Sequence, residues 1–141
     1  PSAKMSKSAA DPKGLINLLD DEGVILKKFK SAVTDTDGEI RFDPENKPGV
    51  ANLLGIFSAI TGKSIRETEQ HFAGSGYGNL KTELAEAVIE HLRPIASKTH
   101  ELLSDTAELD RLLQIGAAKA NELAESTLAK VYDRIGFLPK L

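Results

Sequence analysis

Leu80-Lys81-Thr82-Glu83-Leu84-Ala85-Glu86-Ala87-Val88-Ile89-Glu90-His91-Leu92 sets the fold class of this 141-residue chain. Its apolar residues recur every three to four positions, at Leu84, Val88 and Leu92, and the series continues through Ile95, Thr99 and Leu102. That period puts one apolar stripe along a helix and cannot serve a strand, whose faces alternate every two residues. A long helix is predicted over about 80–103, with Pro94 as the point where a backbone donor is lost and a kink is expected. Asp105-Thr106-Ala107-Glu108 opens a second long helix to about Ile135. Its seam runs through Leu109, Leu112, Leu113, Leu123, Leu128, Val131 and Ile135, and small Gly116, Ala117, Ala120 and Ala124 would admit a neighbouring helix.

Working outward toward the N-terminus, Val50, Leu53, Leu54, Phe57 and Ile60 predict a helix from Gly49, closed by Gly62. Ser64-Ile65-Arg66-Glu67 reads as a capping box opening the next. Gly74 to Gly78 forms the turn that follows it. Asp20-Asp21-Glu22 places acids at a helix start, where the macrodipole favours them. This helix has Val24, Ile25, Leu26, Phe29 and Val33 on its apolar face and Lys27, Lys28 and Lys30 on its basic one. A short helix over Lys13–Leu19, begun by Asp11-Pro12, is expected before it. Between these helices, Asp37-Gly38 lies between the β-prone runs 32–34 and 40–42, which predicts a small hairpin over about 32–42. The expected architecture is all-α, a helical bundle with one small β-hairpin.

Composition narrows the function classes. The formal net charge is −3, too mild to attract nucleic acid globally, so any RNA contact requires a local patch. With no cysteine, a disulfide framework and a Cys-based zinc site are both excluded. His71, His91 and His100 are 20 and 9 residues apart, which matches no helical metal pair, so surface or interhelical roles are expected and no metal site. No run of about 18 apolar residues is present, so no transmembrane helix is expected. Pro1 stands where an initiator Met would, and the chain reads as a piece of a longer polypeptide.

The stretch that carries chemistry is Lys4-Met5-Ser6-Lys7-Ser8. Two ammonium groups three residues apart, with hydroxyls between and after them in a segment of small residues, suit a polyphosphate. On spacing alone, a solvated terminus reads as well. The pentapeptide KMSKS, however, resembles the second signature motif of class I aminoacyl-tRNA synthetases. Leu18-Leu19-Asp20-Asp21, Lys30 to Asp35, Lys47-Pro48-Gly49-Val50, Asn52-Leu53-Leu54 and Gly76-Tyr77-Gly78 with Lys81 follow in the order found in the bacterial-type tryptophanyl-tRNA synthetases. The tyrosyl enzymes share the loop but match these blocks less. Many relatives carry a basic residue where this chain has Ser75.

The resemblance implies the C-terminal part of a tryptophan-tRNA ligase. Residues 1–11 would be the KMSKS loop at the edge of the catalytic domain, and 12–141 an α-helical C-terminal domain. The Rossmann catalytic domain, with its His-x-Gly-His type motif and tryptophan pocket, would precede Pro1. Lys4 and Lys7 would be the catalytic lysines, Lys7 gripping the departing pyrophosphate and Lys4 the ground-state triphosphate. Met5 would pack near the adenosine, with Ser6 and Ser8 supplementing the phosphate contacts. ATP would be a substrate carrying Mg2+, with no protein-bound metal or prosthetic group. Tryptophan and its tRNA would be partners of a cytoplasmic homodimer, and the fragment alone would be inactive.

Lys98, Arg111, Lys119, Lys130 and Arg134 on the two long helices are the candidate tRNA contacts. From residue 80 onward, 8 basic residues face 10 acidic ones, so most of these five read better as solvated faces balanced by Glu101, Glu108, Glu122, Glu125 and Asp133. The alternative from another class is a stand-alone helical RNA-binding or scaffold module derived from such a synthetase; it has no need of both lysines and both serines of the loop.

Overall fold

The structure, a computed structural model, describes residues 12–138. A 3₁₀ turn at Pro12–Gly14 is followed by α1 (Glu22–Lys30), α2 (Pro48–Thr61), α3 (Ile65–His71), α4 (Tyr77–Ser104) and α5 (Thr106–Ile135). Two compact units are distinct, one ending at Ala96 and the other beginning at Ser97, so α4 contributes to both. The division falls just after Pro94, whose missing N–H removes a helical hydrogen bond from α4.

In the first unit the core is built from one face of each helix. Ile25 and Phe29 come from α1, and Val50, Leu53, Leu54 and Phe57 from α2. Leu80, Leu84, Ala85 and Val88 come from α4, with Phe72 just past the end of α3. Val50, Leu54, Phe72, Leu80 and Leu84 are fully buried, and each contributes about 1.5–3 kcal/mol of transfer free energy. Phe57 and Phe72 meet edge-on with ring centroids 4.9 Å apart, the favoured arrangement for two quadrupoles.

The predicted caps hold. Gly62 ends α2 in the left-handed conformation at φ 72°, where a side chain would be strained. Ser64 Oγ accepts from the Glu67 N–H at 3.3 Å, while Glu67 Oε2 accepts from the Ser64 N–H at 2.7 Å, completing the capping box. Asp105 caps α5 by accepting from the Glu108 N–H.

Three sequence expectations are corrected. The hairpin over 32–42 does not form: these residues carry no strand. Four of their backbone groups bond to side chains instead of a ladder. Asp35 accepts from the Asp37 N–H, Asp37 from the Glu39 N–H, and Glu69 Oε1 from the Phe42 N–H at 2.7 Å, while the Glu39 carbonyl is taken by Lys47. The short helix over 13–19 shrinks to the 3₁₀ turn, because Asp20 accepts from both the Asn17 N–H and its side-chain amide and fixes a turn there. Val33 does not extend the apolar face of α1, which ends at Lys30; it is 84% exposed.

In the second unit, none of the residues of α5 is buried. Of the seam expected there, Leu112, Leu113, Leu123, Leu128, Val131 and Ile135 are all exposed among the described residues.

Candidate functional site

The residues that sequence reading singled out for phosphate chemistry, Lys4, Met5, Ser6, Lys7 and Ser8, lie outside the described residues. What the structure does show is the stem that follows them and the scaffold against which it is held.

The stem runs from Pro12 to Asp21. Lys28, on α1, turns inward and donates to the Leu15 carbonyl at 2.8 Å and to Asp20 Oδ2 at 2.5 Å. Its side chain is 12% exposed and that of Asp20 15%. Burial pushes the Asp20 carboxyl up, but the Lys28 ammonium and the two Asn17 donors outweigh it and hold the group below the usual carboxylate range. The sequence places Asp20-Asp21-Glu22 together at a helix start, where the macrodipole favours acids. The structure divides them: Asp21 occupies the N-cap without a side-chain cap bond, Glu22 lies in the first turn, and Asp20 belongs to the stem. Lys27 and Lys30, the other lysines of α1, are exposed.

A second polar cluster joins three blocks far apart in sequence. Lys47, at the N-cap of α2, is 2% exposed. Its Nζ donates to Asp35 Oδ1 at 3.0 Å, to Asp37 Oδ1, to the Glu39 carbonyl at 3.0 Å and toward the Tyr77 hydroxyl oxygen at 3.0 Å. The Tyr77 hydroxyl in turn donates to Asp35 Oδ1. Lys81, one turn further along α4, donates to Thr34 Oγ1 at 3.2 Å.

An ammonium this deep is tolerated only when fully paired. Burial pulls Lys47 down, yet its bonds to Asp37, Tyr77 and Asp35 dominate and hold it above the usual lysine range. Asp37 is held well below the carboxylate range by Lys47 first and then by the Glu39 N–H. Asp35 is lowered chiefly by the Tyr77 hydroxyl, and burial with the bond to Asp35 raises Tyr77. Asp35 Oδ2 is buried without a protein hydrogen-bond partner.

The neighbouring Gly49 explains the remainder of the Lys47-Pro48-Gly49 step. A Cβ there would sit 2.2 Å from the Val33 carbonyl oxygen, so only glycine lets α2 start this close to the 33–35 backbone. The cluster thus fastens the 34–43 loop to the first turns of α2 and α4. Beside it, Phe42, Pro44, Pro48, Asn52, Ile56 and Ala59 line part of an open groove of about 590 Å³ with no charged residue in its walls, which suits no phosphate.

In the sequence these blocks stand out only as points of resemblance. Two of them carry a signal, a chargeable or hydroxyl residue beside a glycine or proline (Lys47 before Pro48, Tyr77 between Gly76 and Gly78), whereas Asp35 stands between Thr34 and Thr36 without one.

The five candidate RNA contacts differ in how they are paired. Lys98 pairs with Glu101 at 2.7 Å, and Arg111 binds Glu108 with two bonds of 2.6 and 2.8 Å. The balancing expected on these helices is therefore present for both, at a spacing of three residues rather than four. Lys119, Lys130 and Arg134 lie on the exposed α5 with no ion pair to another described residue. His71 stacks on Phe57 and pairs with Glu83 across α3 and α4, the interhelical role expected of it. Among the described residues no group of three or more His, Asp or Glu side chains is placed to hold a metal, and no helix is long and apolar enough to cross a membrane.

Residues 1–93 match the family described as tRNA synthetases class I (W and Y). Tryptophan--tRNA ligase 2 of Streptomyces avermitilis is 54% identical over 139 residues, covering 99% of this chain and 41% of its own length. The tryptophan--tRNA ligase of Corynebacterium glutamicum is 56% identical over 138 residues, 98% of this chain and 40% of its own. The crystal structure of tryptophanyl-tRNA synthetase from Mycoplasma pneumoniae superposes with a TM-score of 0.78 at 32% identity, over 95% of this chain and 41% of that one. The chain therefore spans about two fifths of the length of the relatives it matches.

Proposed function

We propose, starting from a chain that belongs to the class I tRNA synthetases of the tryptophan and tyrosine type, that the polypeptide carrying it activates tryptophan with ATP and transfers it to tRNA. The observation that carries this reading is the Lys4-Met5-Ser6-Lys7-Ser8 pentapeptide inside the matched region. The names of the relatives, tryptophan--tRNA ligases at 54% and 56% identity, favour tryptophan over tyrosine.

In the first step a tryptophan carboxylate oxygen attacks the α-phosphorus of ATP. The bond from that phosphorus to the bridging oxygen of the β-phosphate breaks, giving tryptophanyl-adenylate and pyrophosphate. Charge accumulates on the leaving group. Lys7 would tighten onto it as the bond breaks, and an interaction stronger in the transition state than in the ground state raises the rate. Lys4 would hold the triphosphate before reaction, with Ser6 and Ser8 adding hydrogen bonds and Met5 packing near the adenosine. Magnesium would supply charge neutralisation on the phosphates of ATP; none of the described residues is assigned to it.

In the second step the helical part, residues 12–141, would contact tRNA, with residues 1–11 as the loop at the edge of the catalytic domain. Of the five basic candidates, Lys119, Lys130 and Arg134 are the stronger, because Lys98 and Arg111 already have carboxylate partners. The full-length enzyme would act in the cytoplasm as a homodimer.

Amino-acid-dependent pyrophosphate exchange by the full-length protein tests the reading. Tryptophan should drive exchange, tyrosine should not, and the isolated 141-residue chain should be inert. Exchange driven by tyrosine, or robust exchange by the isolated chain, would contradict it.

A further inference from the structure

We propose that Asp37-Gly38 is a modification site: a turn set to rearrange to isoaspartate through a succinimide, and kept from doing so by the ammonium of Lys47. The site is independent of the ligase activity proposed above.

Three observations carry it. The first is in the sequence: Asp37 is the only Asp or Asn of the chain that is followed by glycine. Glycine puts no Cβ beside the main-chain nitrogen that must attack, so ring closure is least hindered there. The second is the turn itself. The Asp37 side chain is 55% exposed, and Gly38 is exposed at φ 79°. Asp37 Oδ1 accepts from the Glu39 N–H at 2.9 Å. That bond closes a ring of atoms containing both the Asp37 γ-carbon and the Gly38 nitrogen, and so keeps the two close. The third is the guard. Lys47 Nζ, on a side chain 2% exposed, donates to the same Oδ1, and the Tyr77 hydroxyl lies 3.0 Å from it.

In the rearrangement the Gly38 nitrogen attacks the Asp37 γ-carbon. A C–N bond forms, the nitrogen gives up its proton, and one carboxyl oxygen leaves as water. Water then opens the ring at either carbonyl. Aspartate is regained, or the main chain passes through the side-chain carbon, and the net change is an isomerisation. Water leaves only from the protonated carboxyl group, because a carboxylate would have to expel oxide. Lys47 opposes that protonation and holds the group well below the usual carboxylate range. Once β-linked, the main chain is one atom longer and its carboxylate is displaced, so the 34–43 loop loses the Asp37 tie to the start of α2.

The test is isoaspartyl formation in this chain during warm incubation at neutral pH, read by enzymatic methylation of the β-linked residue and by peptide mapping. Far-UV circular dichroism checks that each variant is folded. Lys47→Met should form isoaspartate at least about tenfold faster than the parent, since one unit of carboxyl pKa is tenfold in the protonated fraction. Lys81→Met removes the other lysine tie of this loop, to Thr34, without touching Asp37. It should leave the rate within about twofold, as expected of a site with no shared partner. Asp37→Asn loses ammonia instead of water and needs no carboxyl protonation, so it serves as the second variant should Lys47→Met fold poorly. It should close nearly as fast folded as in urea, whereas the parent should be accelerated by unfolding. Equal rates for the parent and folded Lys47→Met, equal acceleration by Lys81→Met, or an Asp37→Asn chain that closes only when unfolded would overturn the proposal.

Discussion

Replacing Gly49 by alanine and, separately, Gly55 by alanine should move stability in opposite directions, although both glycines lie in α2. At Gly49 the new Cβ would stand 2.2 Å from the Val33 carbonyl oxygen and 3.2 Å from its carbon. Ordinary contact needs about 1 Å more, and both partners are main-chain atoms. Neither side can yield cheaply. Thr34 is tied to Lys81 and Asp35 to Lys47, while Pro48 and Lys47 fix the start of the helix. Overpacking of this kind costs about 1–3 kcal/mol or more, against a helical gain for alanine over glycine of about 0.5–1 kcal/mol. A net loss of about 2 kcal/mol is expected for Gly49→Ala. Gly55 has nothing within 4 Å of its Cβ position, so Gly55→Ala should gain about 0.5–1 kcal/mol. Urea unfolding of the 141-residue chain, followed by far-UV circular dichroism at unchanged m, measures both. A Gly49→Ala midpoint equal to the parent's, or shifts of the same sign for both variants, would refute the close-approach argument.

The Lys47 cluster should shape the pH dependence of stability on both sides. Asp37 has a folded pKa below its ordinary value of 3.8, so its contribution is present above that pH and is lost as pH falls through the lower folded value. Lys47 and Tyr77 are raised from 10.5 and 10.0, so their contributions are complete below those values and decline as pH rises beyond them. Lys47→Met should lower the melting temperature at neutral pH and flatten both shoulders in a thermal-unfolding pH series; unaltered shoulders would show that the pairing is not what sets them. Ser64→Ala removes the acceptor half of the capping box and should cost about 0.5–2 kcal/mol by urea unfolding, whereas a neutral result would mean that α3 is held by packing alone.

Much of the helical layout was legible before any coordinates. The 3.6-residue period at Leu84, Val88 and Leu92 and the capping signals at Gly62, Ser64 and Asp105 are local, and local signals survive folding. The failures share one cause. Asp37-Gly38 does turn the chain, with Gly38 at φ 79°, but whether the flanking residues pair depends on what else can satisfy their backbone. Here Lys47 and Glu69, distant in sequence, satisfied it first. The 13–19 segment likewise lost its helix to Asn17, Asp20 and Lys28. Those same long-range bonds are the parts of the site that no spacing rule could find, because Lys28 looks identical to Lys27 and Lys30 until it is seen to turn inward. The loop lysines are singled out by their exact pentapeptide alone, and the role proposed for them rests on kinship with the synthetases.

The rate of tryptophanyl-adenylate formation at saturating ATP, measured in the full-length enzyme bearing Lys7→Ala, Lys4→Ala or both, tests the central claim most directly. Lys7→Ala should slow the chemical step by about 10²–10³-fold with little change in ATP affinity, and Lys4→Ala should chiefly weaken ATP binding. A doubly substituted enzyme that forms adenylate as fast as the parent would contradict the assignment.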